Sequence, residues 1–208
     1  MNIAILGWGS LIWCPGGLRI RTRWRSDGPS LPIEFARISQ DDRLTLVIRP
    51  GSANQPTYWA FSEFTTLEDA RDNLKNRERS KLEDIRGVRR DGTGGNDAPS
   101  EIEQRITEWM AHQKEVDAVV LTNLKSNWRK KRGREFSPED AMNFLLGLEA
   151  ERDRARATYD RAREYVTNTP AVVNTAVRQA MRTRGWADAS LPSILFESVP
   201  SAPKAEVP

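Results

Sequence analysis

Two short segments of this 208-residue chain carry residue types whose spacing could do chemistry. The first is Gly7-Trp8-Gly9-Ser10, set directly behind the apolar run Ile3-Ala4-Ile5-Leu6 and followed by Leu11-Ile12-Trp13. Glycines reach backbone angles closed to other residues, so successive amide N–H groups of such a loop can turn inward and form a concave nest for a carboxylate or phosphate. The plainer alternative is a tight turn after a strand. The second segment ends on Glu78. Leu67, Ala70 and Leu74 mark one face of a predicted helix, with Thr65 and Glu68 at capping-box spacing near its start, and four residues beyond Leu74 that face lands on Glu78. An acid that continues an apolar stripe points to the interior, where loss of water raises its pKa and suits it to proton transfer near neutral pH. The alternative is a helix frayed by Arg77, with both charges in water.

Other candidates have less behind them. Ser10 as a nucleophile needs a base, and the single histidine, His112, lies in the polar helix-like stretch Glu108-Trp109-Met110-Ala111-His112-Gln113-Lys114, which reads as surface. The single cysteine, Cys14, is close to the loop in sequence, but free cysteines mostly behave as small apolar groups. Glu34 and Glu63 are the substitutes for Glu78 as acid/base; Glu34 alternates with Ile33 and Phe35 on a predicted strand and so faces away from them. One cysteine and one histidine give no cluster for zinc, and the carboxylates show no metal-binding spacing, so no metal is expected.

The elements that must position these residues follow from periodicity and turn signals. Residues 1–6 read as a short buried strand, 33–38 and 44–48 as a hairpin around Gln40-Asp41-Asp42-Arg43, 58–61 as another strand, and 117–122 as a late, central one. The glycine-rich stretch 89–97 reads as a mobile loop. Ser137-Pro138-Glu139-Asp140 supplies an N-cap, a first-turn proline and acids at the positive end of a helix expected to run through Val166. A further helix is expected from Thr169-Pro170 toward Arg184, stopped by Gly185. With 38% hydrophobic residues the chain can bury one core, which predicts a single domain over residues 1–200 and a disordered polar tail over 201–208. A mean hydropathy of -0.64 and no long apolar run argue against a membrane span. With no basic region ahead of the first apolar run either, the default expectation is a cytoplasmic protein.

Residues 5–15, Ile-Leu-Gly-Trp-Gly-Ser-Leu-Ile-Trp-Cys-Pro, resemble the opening of the gamma-glutamylcyclotransferase-like superfamily, in which an aromatic-Gly-Ser-Leu loop follows the first strand. The Leu-Ile-Trp continuation is similar to the ChaC-like branch, with Trp8 where tyrosine is usual. Tyr58-Trp59-Ala60-Phe61 and the later Asn73-Leu74-Lys75-Asn76-Arg77-Glu78 extend the resemblance over roughly the first 80 residues, the latter matching the segment that carries the family's catalytic glutamate. The resemblance implies an α+β fold with a mixed, barrel-like sheet, surrounding helices and a helical C-terminal third. It also implies a cofactor-independent enzyme that closes a γ-glutamyl group to 5-oxoproline and releases an amine, amino acid or peptide. Glu78 would be the acid/base, and Gly7, Trp8, Gly9, Ser10 and Leu11 the substrate loop. Trp8 removes a phenolic hydroxyl from that loop, and residues 79–85 lack the glycine-containing continuation of glutathione-degrading members. Both departures bear on which γ-glutamyl compound is the substrate.

The competing class is a binding protein without catalysis, using the nest for a ligand or the basic run 125–134 for nucleic acid. That run, Lys125-Ser126-Asn127-Trp128-Arg129-Lys130-Lys131-Arg132-Gly133-Arg134, includes one aromatic, as a phosphate-binding surface with a stacking residue would. A net charge of only +3 and the usual fate of charge runs favour a solvated loop before a helix instead.

Overall fold

A computed structural model describes residues 1–92 and 100–186. The expected loop over 89–97 falls largely on residues outside that set, and the expected tail over 201–208 falls wholly outside it. In chain order the elements are β1 (Ile3–Gly7), β2 (Leu31–Ile38), β3 (Leu44–Ile48), β4 (Asn54–Gln55), β5 (Tyr58–Phe61), α1 (Leu67–Glu78), a 3-10 turn (Leu82–Asp84) and β6 (Ile85–Arg89). They continue with α2 (Glu101–His112), β7 (Ala118–Thr122), α3 (Trp128–Arg132), α4 (Pro138–Ala150), α5 (Arg156–Asn168) and α6 (Ala176–Thr183). The protein is therefore α+β, with two sheets and six helices among the described residues.

One sheet runs β5-β1-β7-β6 and is mixed, since β1 pairs antiparallel with β5 but parallel with β7. It is buried on both faces. Ile3, Ile5, Ala118 and Val120 pack against Leu67, Ala70 and Leu74 of α1. Ala4, Leu6, Val119 and Leu121 face the larger core shared with the second sheet and the C-terminal helices. Two covered faces explain why β1 and β7 read as unbroken apolar runs.

The second sheet, β3-β2-β4, is antiparallel. The strands do not close into the barrel-like sheet that was expected, because the sheet edges are occupied by other groups. The open edge of β5 is taken by the extended segment around residues 20–25, where Arg21 N donates to Phe61 O (2.9 Å) and Arg25 and Trp59 exchange bonds of 2.8 and 2.9 Å. On β3, Leu46 N donates to the Tyr165 hydroxyl and Leu46 O accepts from Trp8 Nε1, each at 3.4 Å. Groups that could have paired with a strand are thus bonded elsewhere.

Helix α1 positions Glu78. Its N-cap is Thr66, not Thr65: the Thr66 hydroxyl accepts from Asp69 N (3.2 Å). Leu67, Ala70 and Leu74 are its buried residues, as the stripe predicts, and Arg79 ends it in the left-handed region at φ 50°. Asn73 clips the C-terminal half to the chain that follows the β1 loop, donating to Gly17 O (3.0 Å) and accepting from Arg19 N (2.9 Å).

The C-terminal third departs from expectation in three ways. The single helix through Val166 is two, α4 and α5, broken over residues 151–155. Glu151-Arg152-Asp153-Arg154 offers no side chain to bury there, so nothing carries the apolar stripe of Met142 and Leu145 across to Tyr159 and Ala162. Next, α6 begins at Ala176 with Thr175 as N-cap, whereas the Thr169 hydroxyl is used to close α5 on Tyr165 O (2.9 Å). Finally, residues 125–134 are only in part the solvated loop expected: Lys125, Arg129, Lys130, Lys131 and Arg134 are exposed, but 128–132 form α3. Ser126 and Asn127 dock on the β2 backbone, with Asn127 accepting from Ile38 N (2.9 Å) and donating to Ile38 O (2.7 Å). Trp128 starts α3 with its ring in the core, 1% exposed, and its Nε1 donating to Asp140 (2.8 Å).

Buried Glu34 proves to be an anchor. Its two oxygens accept from Phe35 N (2.7 Å) and from Ala176 N at the start of α6 (3.0 Å). Burial raises its pKa despite these bonds. Glu34→Ala leaves two N–H groups without their acceptor, and the free energy of unfolding in urea is expected to fall by about 1–3 kcal/mol.

Candidate active site

A cavity of about 1170 Å³ opens between the β1 loop, the β2–β3 hairpin, the end of α1 and one face of α5. Glu78 lines it together with Trp8, Gly9, Ser10 and Leu11. The loop and the acid thus line one cavity, although 67 residues separate Ser10 from Arg77, which bonds both. Of the proposed substrate loop only Gly7 is elsewhere: it ends β1, paired with Tyr58.

The glycines serve close packing, not unusual backbone angles. Neither Gly7 nor Gly9 has a positive φ; Gly16, Gly51, Gly92, Gly133 and Gly185 do. A Cβ on Gly7 would lie 2.9 Å from the Trp24 ring, and one on Gly9 only 2.5 Å from the Tyr165 hydroxyl. Beyond them the loop turns on two bonds, Ile12 N to Gly9 O (3.0 Å) and Cys14 N to Ser10 O (2.8 Å). Among the described residues, no protein acceptor takes the N–H of Gly9, Ser10 or Leu11. Three successive amides left in this way beside a cavity can bind an anion or a developing negative charge.

The Glu78 side chain is 16% exposed, and burial raises its pKa against the opposing pull of Arg77 and, less strongly, Arg43. Arg77 ties the acid to the loop. It donates to Glu78 (2.7 Å), to the Ser10 hydroxyl (3.2 Å) and to the carbonyls of Cys14 (2.5 Å) and Pro15 (3.3 Å). One guanidinium thereby fixes the end of α1 against the turn that follows β1, and the fork geometry of arginine is what lets it reach four acceptors.

Tyr165 comes from α5. It packs edge-on against Trp13 and Phe35, and burial pushes its pKa up to about 12, so it remains a neutral donor at physiological pH. Its oxygen accepts from Leu46 N, and among the described residues no protein acceptor takes its hydrogen. Neither Tyr165 nor the role of Arg77 was legible in the sequence. Tyr165 is one more apolar-stripe position of α5 beside Ala162 and Val166, with no local mark of a site.

The remaining candidates fall outside the chemistry. Cys14 is exposed at the cavity wall and offers its carbonyl to Arg77. His112 is exposed at the end of α2, beside a separate shallow pocket. Glu63 is ion-paired with Arg19 on the surface at 2.8 Å. Among the described residues no group of three or more His, Cys, Asp or Glu side chains could hold a metal ion, and no helix is long and apolar enough to cross a membrane.

Fold and cavity together define an α+β protein in which a desolvated carboxylic acid lines one cavity with a loop whose amides, among the described residues, have no protein acceptor. The chain matches no protein-family model, and it matches no curated protein and no solved structure significantly.

Proposed function

We propose that the protein is a gamma-glutamylcyclotransferase-type enzyme of the superfamily its opening resembles. The observation that carries this reading is the meeting of Glu78 with the amides of Gly9, Ser10 and Leu11 in one cavity. In the reaction, the free α-amine of a γ-glutamyl group attacks its own γ-carbonyl carbon. A five-membered lactam closes, the C–N bond to the second amine breaks, and 5-oxoproline and that amine leave. No atom is added, so no water or cofactor enters the balance. Glu78 accepts the proton lost by the attacking amine and returns one to the leaving nitrogen. The loop amides hold the substrate carboxylate or the oxygen that gains charge at the carbonyl, and the Tyr165 hydroxyl beside Gly9 has a hydrogen to add.

The test is release of 5-oxoproline from γ-glutamyl amino acids, peptides and amines by the purified chain. Turnover of at least one supports the reading; no turnover of any favours a non-catalytic binding protein. A pH profile provides a second check. Because burial raises the pKa of Glu78, kcat/KM is expected to fall on the acid side with a midpoint above 4.5, the ordinary glutamate value. The nucleic-acid alternative loses its stacking residue with Trp128 in the core, and Arg132 and Arg134 are drawn toward Asp140 at 3.5 and 3.6 Å.

A further inference from the structure

The edge of the mixed sheet carries a row of cations on residues that the cavity does not use. Arg19, Arg21, Arg23 and Arg25 alternate along the extended segment that covers β5, and all four are exposed. Arg19 O accepts from Glu63 N (3.1 Å) and Arg25 pairs with Trp59, so the row spans about 13 Å of extended chain. Three of the guanidiniums lie over aromatic rings: Arg19 over Phe64 (5.2 Å to the centroid), Arg21 over Phe61 (4.7 Å) and Arg25 over Trp59 (4.5 Å). The rings hold these planes in place before any partner arrives. Glu63 and Glu115 pair with Arg19 and Arg25, Arg21 donates to the neutral Asn2 side chain (2.7 Å), and among the described residues Arg23 bonds no protein acceptor. Four cations against two paired carboxylates leave a local surplus of positive charge.

The same segment runs into a shallow hollow of about 320 Å³, lined by residues 28–30 and by Arg105, Glu108, Trp109 and His112 of α2. That volume is at the lower end of the range for small-ligand pockets. Asp27 joins row and hollow. Its carboxylate accepts from Trp59 Nε1 (2.8 Å) and Gln113 Nε2 (3.2 Å), and its carbonyl accepts from Trp109 Nε1 (2.7 Å). Trp109 is half-buried and packs edge-on against Trp59 at 5.3 Å, so its ring is fixed. A line of cations fits a run of phosphates, and a fixed indole in an adjoining hollow fits one unstacked base. A duplex offers the phosphates without the base. We propose that this face binds single-stranded nucleic acid, with Arg21, Arg23 and the flanking arginines on its phosphates and Trp109 stacked on a base. The face is separate from the basic run 125–134, and the inference does not depend on the cyclotransferase reading.

The experiment follows the fluorescence anisotropy of a labelled single-stranded oligonucleotide of about 12 nucleotides, within the usual range of site sizes, as the purified chain is added at several salt concentrations. The native chain is expected to bind, with an affinity that falls steeply as salt rises. The double variant Arg21→Gln with Arg23→Gln is expected to bind about tenfold or more weakly. Its slope of log affinity against log salt should be shallower by about 1.4, from two phosphate contacts at about 0.7 each. Trp109→Leu keeps the hollow apolar but removes the stacking plane, so affinity should fall about five- to a hundredfold with the slope unchanged. Arg21 and Arg23 are exposed, so their double variant reads the face even where a thermal melt shows Trp109→Leu to be unfolded. Lys130→Gln with Lys131→Gln on α3 should bind as the native chain does. No binding by the native chain overturns the inference. Binding that the arginine variant keeps and the α3 variant loses also overturns it and moves the site to residues 125–134. Equal affinity for a duplex of the same sequence, or unchanged affinity in folded Trp109→Leu, overturns the stacked base and with it the proposal. Tighter capture by phosphatidylserine vesicles than by the oligonucleotide overturns it in favour of a lipid surface.

Discussion

Glu78→Gln is expected to reduce 5-oxoproline formation by about two to four orders of magnitude, the usual contribution of a positioned general acid/base, while the fold stays intact. Glutamine keeps the shape of the side chain and an oxygen for the 2.7 Å bond from Arg77, so the link between α1 and the loop survives. What it cannot do is accept and return a proton. Stability supplies an independent reading of the same group. Burial raises the Glu78 pKa, so the folded state binds its proton more tightly than the unfolded chain does. Stability then declines as pH rises from 4.5 through that raised value, a loss that glutamine, which does not titrate, removes. Thermal melts should therefore show the variant equal to or above the native chain at pH 7, with the difference vanishing below pH 4.5. A variant that retains activity moves the acid/base role to another group; one that loses both activity and melting temperature assigns Glu78 to structure.

Gly9→Ala is expected to destabilise the protein by about 1–3 kcal/mol and to cut activity sharply, because the added methyl falls 2.5 Å from the Tyr165 hydroxyl. The phenol has little room to retreat. Its ring is held edge-on by Trp13 and Phe35, and its oxygen is bonded to Leu46 N. With Tyr165→Phe the nearest remaining atom, the ring carbon, would be 3.4 Å away, an acceptable contact. The double variant should accordingly recover much of the stability lost in Gly9→Ala, a coupling readable as a double-mutant cycle in urea. Activity should not recover with it, since the hydroxyl beside the loop is then absent. Additive stability effects would show that the two residues do not press on each other; full activity in Tyr165→Phe would remove the hydroxyl from the chemistry.

Much of the positioning machinery was readable from the chain. The β2–β3 hairpin, β5, central β7, the Ser137-Pro138 start of α4 and the buried face of α1 all lie where pattern and turn chemistry put them. Strand β6 was not visible, because Ile85-Arg86-Gly87-Val88-Arg89 mixes arginines and a glycine into a short segment. Gly87 is there for packing: a Cβ would come within 3.0 Å of Leu67 on α1. Helix α2 carried a readable signal that went unused, the Ser100 and Glu103 capping box, in which each side chain bonds the other's backbone N–H.

The sequence by itself determined that the acid continues the apolar face of its helix and that the loop follows a strand covered on both faces. The stripe Leu67, Ala70, Leu74, Glu78 follows from helical periodicity, and the apolar run before Gly7 follows from a strand buried on two faces. Both are local regularities, in which a residue's neighbours along the chain report its surroundings. Only the tertiary structure decided why Gly9 must be glycine, that Tyr165 stands over it, that Arg77 ties Glu78 to Ser10, that Glu34 anchors α6, and that Trp128 is core and not a stacking surface. Each of these depends on contacts made by groups distant in sequence, such as α5 against β3 or α3 against β2. A side chain's type limits the partners it can take, but packing chooses among them.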